Sequence, residues 1–232
     1  SDLNLPYDEP INWWVEVSDG QSVTSSQLFS FTVPDGLYGS GTTWYVSEEG
    51  FDDSGDGSES NPFRSIQHGI IIAESADTVL VHPGTYFENI NYLGKAIILG
   101  SLALTSGDTA YIHQTMIDGN QASSVVSIID ILTGTALLDG FNLVNGLAET
   151  GGGISITNSS VIVRNCIIED NQSSSYGGGI YVENTLISLQ GTSIRNNEAI
   201  DSGGGFCALN NSSLSMTTTL ISNNISQDGS GG

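Results

Sequence analysis

Glycine triplets begin at residues 151, 177 and 203 of this 232-residue chain, a spacing of 26 each time. Repetition at 20 to 50 residues is the signature of an architecture built from stacked units, each too small to bury its own core. Two further ladders keep the same spacing. Asn145, Asn171, Asn197 and Asn223 form one of amides, and Ile128, Ile154, Ile180 and Phe206 form one of apolar residues. A solenoid is therefore expected from Val125 to at least Asp228.

The pattern inside one repeat selects the kind of solenoid. Ile154-Ser155-Ile156, Val161-Ile162-Val163, Ile187-Ser188-Leu189 and Leu214-Ser215-Met216 alternate with a period of two, as short half-buried strands do. Helical repeats need ten or more residues at period 3.6, and Gly, Asn, Ser and Thr are too frequent here for that. The expected fold class is all-β, a parallel β-helix of ~26-residue coils whose like strands stack about 4.8 Å apart. Gly151, Gly177 and Gly203 would turn a corner with positive φ, and the Asn ladder would hydrogen-bond along the stack.

Before the repeats, Asn61 is placed to cap a helix with Pro62 in its first turn. Phe63, Ile66, Ile70 and Ala73 fall on one face. A short capping helix near Asn61 to Ser75 would cover the open end of the stack. Val79-Leu80-Val81, Ala96 to Leu99 and Thr115-Met116-Ile117 would supply the first, less regular coils.

These segments resemble a known family. Gly177 to Val182, Leu186 to Leu189 and Ile194 to Asn197 resemble the repeat of the pectate-lyase-like superfamily. Trp44 to Ser47, Asn61 to Gln67, Val81 to Tyr86 and Met116 to Asn120 resemble the entry segment of large bacterial surface proteins of that class. The resemblance covers residues 42–232, and right-handed coiling is what it implies. Ile11 to Gly20 and Leu28 to Val33 resemble the last two strands of a fibronectin type III domain, a sandwich of about seven strands. The expected organisation is 1–33 as the end of such a domain, 34–43 as a Gly-rich linker, 44–76 as the β-helix entry and cap helix, and 77–232 as coils. The Gly229–Gly232 run falls where another coil should start, so the coils are expected to continue beyond 232.

Charge narrows the partners. Twenty-six acidic residues against four basic ones give −22, which disfavours nucleic acid and anionic membrane surfaces. No apolar stretch approaches the length of a membrane-spanning helix. Composition fits a secreted or cell-surface protein. Cys166 and Cys207 lie in different coils at different corners, too far apart for a disulfide. The sequons at Asn158, Asn171, Asn210, Asn211 and Asn224 arise easily in Asn- and Ser-rich coils.

One metal site is expected as a candidate. Asp52, Ser54, Asp56 and Ser58 place oxygen side chains in the spacing of the first half of a calcium loop, with Gly57 at position six. Phe63 stands where the twelfth, bidentate ligand belongs, so a solvated acidic turn is the alternative.

Catalytic signals are sparse. A uronate lyase needs a cation-neutralised carboxylate beside a basic residue, and the candidates are Arg164 and Arg195, which occupy different phases of the repeat, and Lys95 in the entry coils, more simply a solvent-facing turn residue. A glycosidase needs two carboxyl groups across a sugar, and Glu169–Asp170 and Glu198–Asp201 do not suit that. His68, His82 and His113 are scattered. The reading placed first is a structural or adhesive surface module with polysaccharide or cell-surface glycan as candidate ligand. Tyr86, Tyr92, Tyr176, Tyr181 and Trp44 are its candidate contacts. A polysaccharide lyase and a filament subunit that self-associates through its C-terminal coil are the alternatives.

Overall fold

A computed structural model of the chain describes residues 41–229 in full and, before them, the backbone of four strands, Pro10–Trp13, Glu16–Ser18, Val23–Ser25 and Phe29–Thr32. Most of the expected linker at 34–43, and all of the Gly229–Gly232 run except Gly229, lie outside the described residues. The chain divides into two units, Ser1–Tyr38 and Gly39–Gly232. In the first unit Pro10–Trp13 pairs antiparallel with Phe29–Thr32, and Glu16–Ser18 with Val23–Ser25. The alternating segments expected as two strands around a polar turn thus hold four short strands in two antiparallel pairs.

The second unit is a parallel β-solenoid with four sheets. The first face stacks Thr43–Val46, Thr78–Val81, Ile98–Ser101, Ala136–Asp139, Ser160–Arg164, Leu186–Gln190 and Ser213–Thr217. The second stacks Gly84–Phe87, Thr115–Asp118, Asn142–Val144, Ile167–Glu169, Ser193–Arg195 and Leu220–Ser222. The third stacks Leu147–Thr150, Gln172–Tyr176, Glu198–Ala199 and Ile225–Ser226. The fourth stacks Ile90–Asn91, Val126–Ile129, Ile154–Thr157, Ile180–Glu183 and Phe206–Leu209. From Ala136 on the chain visits the four faces in turn, the earlier coils having no strand on the third face, and each strand pairs with like strands of the adjacent coils.

Period-two burial makes the core. Val161 and Val163, Ile187 and Leu189, Ile168 and Ile194, and Ile154, Ile156, Ile180 and Val182 all point inward and are buried. Each such side chain contributes about 1.5–3 kcal/mol on leaving water.

The coils are not of equal length, which corrects two of the ladders read from the spacing. On the fourth face Val126 stands opposite Ile154, an offset of 28, so Ile128 stacks on Ile156 and not on Ile154. Ile154, Ile180 and Phe206 do stack. On the second face Asn142 pairs with Ile167, Ile167 with Ser193 and Ser193 with Leu220, offsets of 25, 26 and 27. Extra residues fall at two corners, the turn Asp130 to Thr135 and Asn210 to Ser212, and at one irregularity within the third face after Ala148. Between Gly84 and Thr115, which are paired, two unexpected short helices intervene, Ala103–Ser106 and Ala110–Gln114.

The entry helix starts later than the spacing predicts. It spans Ile66–Ile72 with Ser65 as its cap residue, whose Oγ accepts from the His68 N–H at 3.3 Å. Asn61 and Pro62 lie outside it because Phe63 is held as an extended neighbour of Thr43–Val46: its N–H donates to Tyr45 O, and its carbonyl accepts from Ser47 N–H. The predicted inward residues Phe63, Ile66, Ile70 and Ala73 are all buried, with Val46 and Val79 among their core companions. The helix packs against Thr43–Val46, Thr78–Val81 and Ile90–Asn91. Beyond its other end lies Lys95, expected as a solvent-facing turn residue. Its Nζ instead donates to the carbonyls of Ile70, Ile71 and Ala73 at 2.8, 2.9 and 2.7 Å. A cation on orphan carbonyls at a helix C-terminus satisfies both their hydrogen bonding and the helix dipole.

Lys95→Met keeps the aliphatic stem and removes the three donors. It is expected to lower stability by about 1–3 kcal/mol, read as a shift in the denaturant midpoint at unchanged slope.

Candidate functional site

The Asp52–Ser58 segment spends its oxygens on the protein. Asp52 Oδ1 accepts from the Arg64 and Ser65 N–H groups at 2.8 and 3.0 Å, and Oδ2 accepts from Ser65 Oγ–H at 2.7 Å. Asp56 Oδ1 accepts from Ser58 N–H at 3.0 Å, Ser58 Oγ lies 3.3 Å from Ser60 Oγ, and the Ser54 carbonyl accepts from Asn61 Nδ2. Among the described residues no group of three or more His, Cys, Asp or Glu side chains converges as a metal-binding set. A second carboxylate, Glu88, accepts from the Ile66 and Gln67 N–H groups, both at 2.9 Å. Together Asp52, Ser65 and Glu88 satisfy the N–H groups from Arg64 to His68, the donors that a helix start leaves without partners.

The two carboxyls titrate in opposite directions. Burial would raise Asp52, but the hydrogen bonds from Ser65 and Arg64 outweigh it and hold the group below the ordinary 3.8. Burial dominates at Glu88 and raises it above the ordinary 4.5 despite its two N–H donors.

At the glycine corner four consecutive bonds run between coils. The N–H groups of Gly151, Gly152, Gly153 and Ile154 donate to the carbonyls of Tyr176, Gly177, Gly178 and Gly179, and the set recurs one coil later from Gly177 to Ile180. Gly151, Gly177 and Gly203 have φ of 63, 65 and 68°. A Cβ on Gly153 would come within 2.5 Å of Gly179 O, so the close approach itself requires glycine.

The amide ladder is real in one step and displaced in the others. Asn171 and Asn197 are buried, and Asn171 Nδ2 donates to Asn197 Oδ1 at 3.0 Å, to Leu143 O and to Glu169 O, while its Oδ1 accepts from Gly146 N–H. The next rung below Asn197 is Asn224, not Asn223, again at 3.0 Å. Asn145 and Asn223 belong with Asp170 and Asn196 in an outer row of left-handed residues, φ 55–57°. The corner motif is thus a dipeptide, a left-handed Asp or Asn followed by an inward Asn, as in Asp170-Asn171, Asn196-Asn197 and Asn223-Asn224. The doubled Asn at 196–197 and 223–224 was its signal in the sequence.

A second arrangement has no counterpart in the sequence reading. Four left-handed asparagines donate Nδ2 to a carboxylate of the preceding coil: Asn145 to Asp118, Asn158 to Asp130, Asn165 to Asp139, and Asn210 to Glu183. Arginine does this at two places. Arg164 reaches Asp139 at 2.6 Å and Arg195 reaches Glu169 at 2.7 Å. Hydrogen bonding to Glu169 and the neighbouring negative charges raise the Arg195 pKa.

The aromatic candidates for sugar contact are mostly packing residues. Tyr92 and Tyr86 are buried and donate to Leu137 O and His82 O, Tyr181 is buried, and Trp44 Nε1 donates to Asp77. Among the described residues Phe51 and Phe87 are exposed aromatic rings, at 60% and 69%. Cys166 and Cys207 are both free and buried, and burial pushes the Cys166 thiol up to about 12. Clefts among the described residues include one of about 540 Å³ around Glu48, Arg64 and Phe87, one of about 480 Å³ along the corner between the fourth and first faces, and one of about 270 Å³ on the third face.

Fold and corner chemistry define a parallel β-solenoid whose polar side chains chiefly join one coil to the next. The family model described as Protein of unknown function (DUF1565) matches residues 49–231, and the chain belongs to that family. No curated protein matches the chain.

Asn171→Ala leaves buried donors and acceptors on both neighbouring coils unpaired and is expected to cost about 2–4 kcal/mol, whereas Asn223→Gly in the outer row should stay within about 1 kcal/mol. Urea unfolding of both variants checks the assignment of rungs. The pH dependence follows from the sign of each shift. Stability from Asp52 is present above its unfolded value and lost as pH falls through the lower folded value. That from Glu88 is present below its unfolded value and lost as pH rises through the raised one. Asp52→Asn should therefore flatten the acid limb of a melting-temperature profile below 3.8, and Glu88→Gln should instead alter the profile above 4.5.

Proposed function

We propose that this chain is an extracellular or cell-surface structural or adhesive module, a stiff β-solenoid that presents its outer corners to a partner, with glycan as the candidate ligand. The observation that carries this reading is where the few basic side chains go. Lys95 caps the entry helix, and Arg164 and Arg195 bind carboxylates of adjacent coils, so each residue named as a possible lyase base has a structural task. A net charge of −22 and a surface rich in Asn, Ser and Thr support placement outside the cell. Kinship with right-handed pectate-lyase-like β-helices belongs to the same proposal, supported by the parallel sheets and inward corner amides. Kinship of residues 1–33 with fibronectin type III is supported by the antiparallel pairing of Pro10–Trp13 with Phe29–Thr32. Calcium at Asp52, Ser54, Asp56 and Ser58 would require Asp52 to give up bonds to Arg64 and Ser65, so we place it after the adhesive role.

Self-association is the second reading. In the last coil Leu214, Met216 and Ile221 are exposed, whereas Ile187, Leu189 and Ile194 in the same columns one coil earlier are buried. Such a surface accepts another coil, from this chain or a second copy.

The purified chain, incubated with polygalacturonate and calcium, is expected to produce no rise in ultraviolet absorbance from unsaturated product, and antibody against it should label intact cells of the source. Product release would overturn the non-enzymatic reading, and labelling only after lysis would overturn the location. Sedimentation across a concentration series tests self-association, which Met216→Lys should reduce.

A further inference from the structure

The cleft of about 480 Å³ lies along the solenoid axis at the corner where the fourth face passes into the first. Its lining comes from four successive passes of the chain, the turn Ile131 to Gly134 and then Asn158 to Ser160, Asn184 to Leu186, and Asn211 to Ser213. Each of the last three passes brings one exposed asparagine, Asn158, Asn184 and Asn211. Asn158 and Asn184 hold like positions in adjacent coils, about 4.8 Å apart, and Asn211 follows within the corner Asn210 to Ser212 that carries one extra residue. Two exposed leucines accompany them, Leu132 at 80% and Leu186 at 59%.

Two properties restrict what fits. No Asp, Glu, Lys, Arg or His lines the cleft, although the chain carries 26 acidic residues. The nearest acids in sequence, Asp130 and Glu183, are engaged by Asn158 and Asn210. An ionised ligand would lose hydration there and gain no counter-charge. The hydroxyls of the inner row are already committed: Ser159 donates to Thr157 O and accepts from Ile131 N–H, and Thr185 donates to Glu183 O. The Asn184 and Asn211 amides, by contrast, donate to no group among the described residues. Two free amides on successive passes beside apolar side chains match an uncharged extended polymer that offers hydroxyls with an apolar ring face between them.

We infer that this corner groove is a binding site for a neutral polysaccharide chain lying parallel to the solenoid axis, with Asn184 and Asn211 as hydrogen-bond partners and Leu132 and Leu186 as its apolar floor. The inference rests on the adhesive reading above and assigns that reading its surface and ligand class. The side chains concerned are exposed, so their replacement should spare the core. Asn184 has φ 49° and is best changed to glycine, which keeps the left-handed backbone without strain.

The test is affinity electrophoresis of the full chain through gels containing hydroxyethylcellulose, a neutral glucan, or polygalacturonate. Melting temperature serves as the control for folding. Retardation by the neutral polymer is expected, weakened about tenfold in Asn184→Gly/Asn211→Ala and in Leu132→Asp, each with an unchanged melting temperature. Equal retardation of wild type and both variants would overturn the assignment of the groove while leaving the adhesive reading standing. Retardation by polygalacturonate as strong as by the neutral glucan would overturn the ligand class. No retardation by either polymer would overturn the inference and remove glycan from the function proposed above. Should either variant melt lower, Leu186→Ala on the same floor decides, its unaltered binding overturning the inference.

Discussion

Everything in the solenoid depends on backbone hydrogen bonding that continues around the corners as well as along the strands. A stack of short strands would ordinarily lose its ladder wherever the chain turns, leaving N–H and C=O groups to be satisfied by other means. At the glycine corner the bonds from Gly151 through Ile154 to the next coil run on without a gap. This requires backbones so close that even a methyl group would collide with the carbonyl of the next coil. At the neighbouring turn Asn171 and Asn197 do the same work with a side chain, linking three coils through one amide each. The core is the beneficiary: once the coils are locked at fixed spacing, inward Val, Ile and Leu have no alternative register.

The chain manages a large negative charge without many cations. Left-handed asparagines at the corners donate to Asp118, Asp130, Asp139 and Glu183. A neutral amide satisfies a carboxylate oxygen while leaving the charge in place, so coils are joined without reducing the overall field. The conformation that turns the corner also aims the amide, and Asn tolerates that left-handed backbone better than most residues. Turn geometry and charge management thus fall on one residue.

How much of this could be read in the sequence divides along physical lines. The strands, the stacking and the glycine corner were legible because they rest on local rules, period two and the absence of Cβ, that repeat in every coil. The Asn ladder was only half legible. Fixed spacing selected Asn145 and Asn223, yet coil length changes from 25 to 27 residues and the inward rung passes to Asn224. The helix face was legible from Ile66 and Ile70, but its start was not, because Asp52 and Glu88 reach Arg64 to Gln67 from distant positions in the sequence. Lys95 was misread for the same reason: its partners lie 22 to 25 residues away and are carbonyls, which carry no sequence mark. The groove was invisible until the corners were stacked, since no single Asn or Leu in it is unusual.

The uneven coil lengths have a consequence for how such a chain can change. Three extra residues at Asp130 to Thr135 and one at Asn210 to Ser212 are absorbed at a single corner, while the paired strands on either side keep their partners. That corner also bears the groove. Insertion and deletion there alter the outer contour at little cost to the interior, so variation in this chain can be confined to the relief of one edge. The solenoid then behaves as a printing cylinder, with an invariant drum and an engraved line that can be recut.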